Sequence, residues 1–283
     1  MFLEVLAAAG VVAIRDGQAR AQSVGTVGAE ALRLAYTRPA RQWVEALPLG
    51  NGRLGAMVFG GIGVERLQLN EDTLWSGGPS DWNNPAAREA LADVRALVAA
   101  GRYADADRAS KRMMGPYTQS YLPLGDLHVV FDHGDLGRGY TRTLDLDTAV
   151  ASVSYSQGQA AYTRAVVASH PDQVIAMHLT CSSPGLLRFV ARLSSPLHAA
   201  TRVDGEALVL SGRAPSLVEP NYEDVADPVR YAEDRGLRFE ARLIVVTDGL
   251  VVRSAGDLRV ANASHATLLL AMATNYTGSD RAG

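Results

Sequence analysis

Val150-Ala151-Ser152-Val153-Ser154-Tyr155-Ser156-Gln157-Gly158-Gln159-Ala160-Ala161-Tyr162-Thr163-Arg164-Ala165-Val166-Val167-Ala168 reads as a β-hairpin. Two strand-like runs, 150–156 and 160–168, flank a turn at Gln157-Gly158, the pattern of an antiparallel pair closed by a tight loop. The same pattern extends in both directions. Upstream, Leu127, Val129 and Phe131 alternate with His128, Val130 and Asp132. Downstream, runs at 173–180, 186–193, 207–210, 237–246 and 267–273 are separated by Gly, Pro and Asp turns. Many short strands at regular spacing predict a mainly β fold, an antiparallel β-sandwich.

Nearer the start, 29–36 begins a strand that Arg38-Pro39-Ala40 breaks. Residues 48–55 form a Gly-rich turn, 54–59 a buried strand closed by Gly60-Gly61, and 65–69 its partner. No helix with Lys-Ser/Thr follows the turn, so it is not a phosphate loop. At Asn84-Pro85 the period changes. Leu91, Val94, Leu97 and Val98 recur at helical spacing, with Pro85 in the first turn and Asn83 or Asn84 as cap. Gly101 stops this helix, and a second runs over 103–113 to Gly115-Pro116. The sandwich thus carries a short two-helix insertion. The stretch 214–236 is long for a loop in a compact domain, hence functional or mobile.

A chain of 283 residues, 47% hydrophobic and 20% charged, has the composition of an ordinary globular protein with a sizeable core. A net charge of −3, with arginines dispersed rather than clustered, argues against a nucleic-acid partner. Residues 1–28 read as an export signal remnant and linker: an apolar stretch over 7–14, a polar spacer, then Ala19-Arg20-Ala21 as a cleavage signature. Phe2-Leu3 resembles the tail of a twin-arginine signal. The apolar stretch is too short to span a bilayer, so the expectation is a periplasmic or secreted protein with no membrane span. Cys181 is the single cysteine and reads as a small buried hydrophobe.

The residues carrying chemistry are fewer. The adjacent carboxylates are Glu71-Asp72, Glu223-Asp224 and Glu233-Asp234. Neighbours on an extended strand point to opposite faces, so none of these pairs alone can set two carboxyl groups across one bond. The six histidines make no metal-ligating spacing, and Asp132-His133-Gly134-Asp135 is a cation loop or a solvated turn. No nucleophile-elbow motif is present. The expectation is no catalytic residue, no metal and no cofactor. Two aromatic loops stand out. Trp75 and Trp82 flank Ser76-Gly77-Gly78-Pro79, while Tyr117, Gln119 and Tyr121 surround a second Gly/Pro loop. Sugars present C–H faces to aromatic rings and hydroxyls to paired donors and acceptors. These loops are either a sugar-facing rim or anchors at a domain interface.

A longer set of motifs places the chain in context. Trp43 to Gly61 contains Leu47-Pro48-Leu49-Gly50-Asn51-Gly52-Arg53-Leu54-Gly55, and Leu67-Gln68-Leu69-Asn70-Glu71-Asp72-Thr73-Leu74-Trp75-Ser76-Gly77-Gly78-Pro79 follows. Then come Asp81-Trp82-Asn83-Asn84-Pro85, Met113-Met114-Gly115-Pro116-Tyr117-Thr118-Gln119-Ser120-Tyr121-Leu122-Pro123-Leu124-Gly125-Asp126-Leu127 and Ser169-His170-Pro171-Asp172-Gln173-Val174. In this order they resemble the N-terminal region of family 95 glycoside hydrolases, the inverting α-L-fucosidases and their relatives. The resemblance implies a super-sandwich over 29–276, a linker starting at 277–283, and a helical (α/α)6 catalytic barrel beyond it as partner. It implies that the general acid Glu and the Asn/Asp-assisted water lie on that barrel, absent from this chain, and that the substrate is an oligosaccharide ending in α-linked fucose or L-galactose. Asn70, Glu71, Trp75, Trp82, Tyr117, Gln119 and Tyr121 are then the substrate- or barrel-facing loop candidates. Nothing is carried onto 226–236, which varies in such domains. Two other readings stand beside it: a free-standing carbohydrate-binding or scaffold sandwich, and a barrel-linked sandwich of the disaccharide phosphorylase type, against which the motif order argues.

Overall fold

The computed structural model describes residues 32–221 and 224–278. The expected export segment, 1–28, lies outside these residues, as do Glu223 and positions 279–283 of the expected linker. The chain divides into two compact units. The first holds the described residues up to Leu74, with Leu122–Arg213 and Arg238–Tyr276; the second holds Trp75–Tyr121, Ala214–Leu237 and the residues from Thr277.

The first unit is the antiparallel sandwich that the strand pattern predicts. Numbered along the chain, one sheet runs in space as β1 (Arg33–Tyr36), β6 (Arg138–Asp145), β7 (Val150–Gln157), β8 (Ala160–Ser169), β9 (Val174–Cys181), β18 (His265–Thr274), β15 (Arg238–Thr247), β12 (Ala207–Arg213) and β11 (His198–Asp204). The other runs as β16 (Leu250–Ser254), β17 (Asp257–Ala263), β10 (Leu187–Ser194), β5 (Gly125–Phe131), β4 (Val64–Glu71), β3 (Leu54–Val58) and β2 (Leu47–Gly50). Successive side chains on a strand point to opposite faces, and the burial follows. β9 buries Ile175, Met177, Leu179 and Cys181, β4 buries Leu67 and Leu69, and β5 buries Leu127, Val129 and Phe131. These faces meet between the sheets, with β3 against β9, β4 against β18, and β2 against β7 and β8. Each large apolar side chain so removed from water contributes roughly 1.5–3 kcal/mol. Slipping β4 by one residue would turn its whole apolar set to solvent, which fixes the register.

That register puts a charge into the core. Glu65 shares its face with Leu67 and Leu69 and is fully buried with them. Arg164, on the buried face of β8, donates through Nη1 to Glu65 Oε2 at 2.7 Å, while Gly60 N and Arg66 N donate to Oε1 at 2.7 and 3.1 Å. Burial pushes the Glu65 carboxyl above its usual range, against the pull of Arg164 and these two N–H groups. Arg164 also stacks over Phe131 and Tyr155.

Three local expectations shift. The hairpin loop is Gly158-Gln159, one residue later than expected, because β7 continues through Gln157, whose Nε2 donates to His133 O at 2.5 Å. The Gly-rich stretch at 48–55 contains a strand: β2 pairs with β3 from Leu47↔Val58 to Gly50↔Gly55 around a turn at 51–53. Pro48 is tolerated there because β2 is an edge strand of its sheet. Neither Asn83 nor Asn84 caps the first helix, whose capping position is Ala86 with no side-chain cap. Asn84 Oδ1 instead accepts from Ala86 N at 3.0 Å, and its Nδ2 donates to Arg112 O and Met114 O.

In the second unit, helices α1 (Ala87–Ala99) and α2 (Tyr103–Ser110) pack as a pair, followed by a 3-10 turn at Lys111–Met113. Gly101 N bonds Val98 O and Arg102 N bonds Leu97 O, the two bonds of a Schellman ending. The long stretch after Ala214 is tied down by a two-residue ladder, β13 (Leu217–Val218) with β14 (Val229–Arg230). Among the described residues no helix is long and apolar enough to cross a membrane.

Candidate functional site

Within the second unit, separate stretches of chain line one groove of about 520 Å³, a size typical of small-molecule sites. Ser76 begins the assembly. Its N donates to Ser120 O at 2.9 Å, its hydroxyl accepts from Ser120 N at 2.9 Å, and the same hydroxyl donates to Gln119 Oε1 at 3.2 Å. Gly77 then bonds Pro215 O at 2.8 Å, bringing in the long stretch. Only glycine suits this position: its φ is +81°, and a Cβ would lie 1.7 Å from Gln119 Oε1. Gly115 also packs tightly on Trp82, since a Cβ there would sit 2.5 Å from the Trp82 carbonyl oxygen. Arg235 Nη2 closes the structure by donating to Pro79 O at 2.9 Å.

The groove lining includes Trp82, Tyr117 and Gln119 from the two aromatic loops and Glu219, Arg230 and Arg235 from the long stretch. Glu219 and Arg230 form an ion pair across the β13–β14 ladder. Aromatic residues, amide and guanidinium donors and one carboxylate line the groove. Its carboxylate is held in the ion pair with Arg230.

The other sequence-predicted residues go elsewhere. Trp75 and Tyr121 join through an isolated β-bridge, their rings 5.2 Å apart and tilted by 55°, and neither lines the groove. Asn70 and Glu71 end β4 in the first unit. Glu219, Arg230 and Arg235 escaped the sequence reading. The one signal for them was the unusual length of the stretch that carries them.

Glu71 anchors a knot that ties together the motifs of the first unit. Asn51 Oδ1 accepts from Arg53 N and Leu54 N at 3.1 and 2.8 Å, and its Nδ2 donates to Ser169 O at 2.7 Å. Arg53 Nε reaches Gln173 Oε1 at 2.7 Å, and Nη1 reaches Met272 O at 2.8 Å and Glu71 Oε1 at 3.1 Å. Glu71 Oε2 accepts from Thr73 N and Oγ1 at 2.9 and 2.6 Å, and the Thr73 hydroxyl also bonds that of Thr274. Glu71 is 2% exposed while Asp72 faces solvent. Both oxygens of Glu71 therefore hold structure.

Among the described residues no cluster of three His, Cys, Asp or Glu could hold a metal. The Asp132–Asp135 turn is a packing element: His133 Nε2 bonds the Tyr155 hydroxyl at 2.9 Å, and Asp135 Oδ1 accepts from Gly63 N at 2.9 Å.

Residues 34–279 match the family model described as glycosyl hydrolase family 65, N-terminal domain. The chain belongs to this family. The motif knot and the groove both fall inside the matched glycosyl hydrolase N-terminal domain. The chain is 38% identical over 275 residues to Alpha-L-fucosidase 2 of Arabidopsis thaliana, covering 93% of this chain and 33% of that protein. Two proteins named Probable alpha-fucosidase A are each 37% identical to it. The one from Aspergillus oryzae matches over 139 residues, 46% of this chain and 19% of that protein; the one from Aspergillus niger matches over 149 residues, 49% and 18%. The chain thus spans about a third of the length of the Arabidopsis relative. This homology to fucosidases is what the motif order implied.

Proposed function

We propose that this chain is the non-catalytic N-terminal domain of an exported, inverting α-L-fucosidase-like glycoside hydrolase of family 95. The reaction is hydrolysis of terminal α-linked fucose, or related L-galactose, from oligosaccharides outside the cytoplasm, without metal or organic cofactor. The bond-cleaving carboxylates belong to a helical barrel that this domain supports. The observation that carries this reading is the 38% identity, over 93% of the chain, with a protein named as an α-L-fucosidase.

The geometry supports the non-catalytic part. Inversion needs two carboxyl groups roughly 6.5–9.5 Å apart, one protonated and one activating water. Glu71 is buried with both oxygens occupied, Glu65 is buried against Arg164, and Glu219 is paired with Arg230. Each of these carboxylates is a hydrogen-bonded structural group.

The test is to express a polypeptide that continues from this domain through a helical barrel and follow 2′-fucosyllactose cleavage by proton NMR. The reading expects β-L-fucose as the first product. A first product of α-L-fucose, or no cleavage of any fucoside by a folded protein, would overturn it.

A further inference from the structure

Two histidines share the outer face of the nine-stranded sheet in the first unit. β9 buries Ile175, Met177, Leu179 and Cys181, and β18 buries Ala266, Leu268 and Leu270. Alternation turns His178 and His265 the other way. The strands pair as His178↔Thr267 and Thr180↔His265, so the two imidazoles are diagonal neighbours with ring centres 6.4 Å apart. Each ring is engaged at Nδ1. Thr267 Oγ1 lies 2.9 Å from Nδ1 of His178, and Asp248 Oδ2 lies 3.5 Å from Nδ1 of His265. Asp248 is itself fixed, because its Oδ1 accepts from Ser264 N and His265 N at 2.9 and 3.1 Å. An acceptor held at one ring nitrogen is the arrangement that orients a metal-ligating histidine and leaves the other nitrogen to bind. The register surrounds the pair with Thr163, Ala165, Thr180, Thr267 and Val246 on the same face, and none of these brings a competing positive charge. An imidazole nitrogen binds zinc at about 2.0–2.1 Å, which sets the ion about 3 Å from the ring centre. Rings 6.4 Å apart therefore share one ion after small side-chain rotations, and His265, with a side chain 55% exposed, has room to make them. We infer that His178 and His265 form a site for a divalent transition-metal ion such as Zn2+, held by the two Nε2 atoms and completed by water. Neutral imidazole suits that class of ion, whereas Ca2+ and Mg2+ take oxygen ligands. Among the described residues no group of three His, Cys, Asp or Glu could hold a metal, so water supplies the remaining ligands. The ion bridges β9 to β18 and stabilises the folded sheet by mass action.

The experiment is a titration of the untagged full chain with ZnCl2 and, separately, CaCl2, read by calorimetry and by the histidine ring C–H signals in NMR. Saturable binding of one Zn2+ per chain is expected, with no saturable binding of Ca2+. The ring signals of His178 and His265 should move together, while that of His170, exposed on the turn between β8 and β9, stays in place. His178→Ala and His265→Ala should each weaken Zn2+ binding by about tenfold or more, and His170→Ala should leave it within about twofold. The signal arm needs no variant, so a misfolded substitution does not blunt the test. No saturable Zn2+ binding, Ca2+ bound as tightly as Zn2+, or unchanged affinity when either histidine of the pair is replaced would overturn the proposal. Such a failure would leave fucoside cleavage by a barrel-bearing protein unaffected, so the two readings fail separately.

Discussion

Arg164 Nη1 donates to Glu65 Oε2 at 2.7 Å with the side chains 2% and 0% exposed, an ion pair sealed between the two sheets. Desolvating both charges is costly, and the pair holds because Gly60 N and Arg66 N share the carboxylate. Removing one partner leaves the other buried and uncompensated. Glu65→Gln or Arg164→Met should each cost ~3–5 kcal/mol, read as a lowered urea midpoint at unchanged slope. The double replacement Glu65→Leu with Arg164→Met should cost clearly less than the sum. Additive losses would mean that the two side chains are not coupled.

Glu71→Gln removes the charge at the centre of the knot formed with Arg53 and Thr73. A loss of about 1–3 kcal/mol is expected, measured by thermal or urea unfolding. In a barrel-bearing protein the same change should leave turnover per folded molecule within about twofold, since hydrogen bonds to structure occupy both oxygens. A drop in kcat of about a hundredfold or more at full folding would point to acid–base work by this residue.

Asp248 supplies a pH dependence. Its carboxylate accepts from Ser264 N and His265 N at 2.9 and 3.1 Å, and these bonds hold its pKa down to about 2 from an ordinary 3.8. A carboxyl depressed in the folded state contributes stability above its unfolded value and loses it as pH falls toward the folded one. Asp248→Ala should therefore cost about 1 kcal/mol at pH 7, a modest figure because the side chain is partly exposed and screened. The difference from the unmodified chain should close between about pH 4 and pH 2. A gap still at its full pH 7 size at pH 2 would assign the effect to packing.

Gly77→Ala tests how the groove is built. The substitution meets a φ of +81° and the Gln119 side chain together, and a cost of about 1–3 kcal/mol follows from the backbone alone. Hydrogen exchange should quicken in the second unit and stay unchanged in the strands of the first. Adding Gln119→Ala should remove the clash and restore part of the protection, leaving the backbone cost. No change in exchange would mean that Ser76-Gly77 does not organise the loops.

The sandwich was legible because alternation is a short-range code with a large energetic consequence. β9 and β5 bury every second residue, as 173–180 and 127–131 suggest in the sequence. Strand β2 was hidden by Pro48, which forbids a central strand yet is harmless at an edge. Asn84 carries a capping side chain at the expected place, but its amide bonds Arg112 O and Met114 O, a tertiary demand that local preference cannot foresee. The groove was half legible. Trp75 and Trp82 sit in the same Gly/Pro loop, and Trp75 is bridged to Tyr121, distant in sequence, while Trp82 lines the groove. A two-residue ladder within the long stretch sets Glu219 and Arg230, and hydrogen bonds at Pro79 and Pro215 bring that stretch to the loop at 76–79. No periodicity announces contacts of that kind.

The central claim is that these sheets support bond cleavage without performing it. It is tested most directly by incubating the purified chain alone with 2′-fucosyllactose and quantifying free fucose. The account predicts release no faster than in buffer, alongside turnover by a barrel-bearing protein under the same conditions. Fucose release by the chain alone, abolished when one of its own Glu or Asp residues is replaced by the amide, would contradict it.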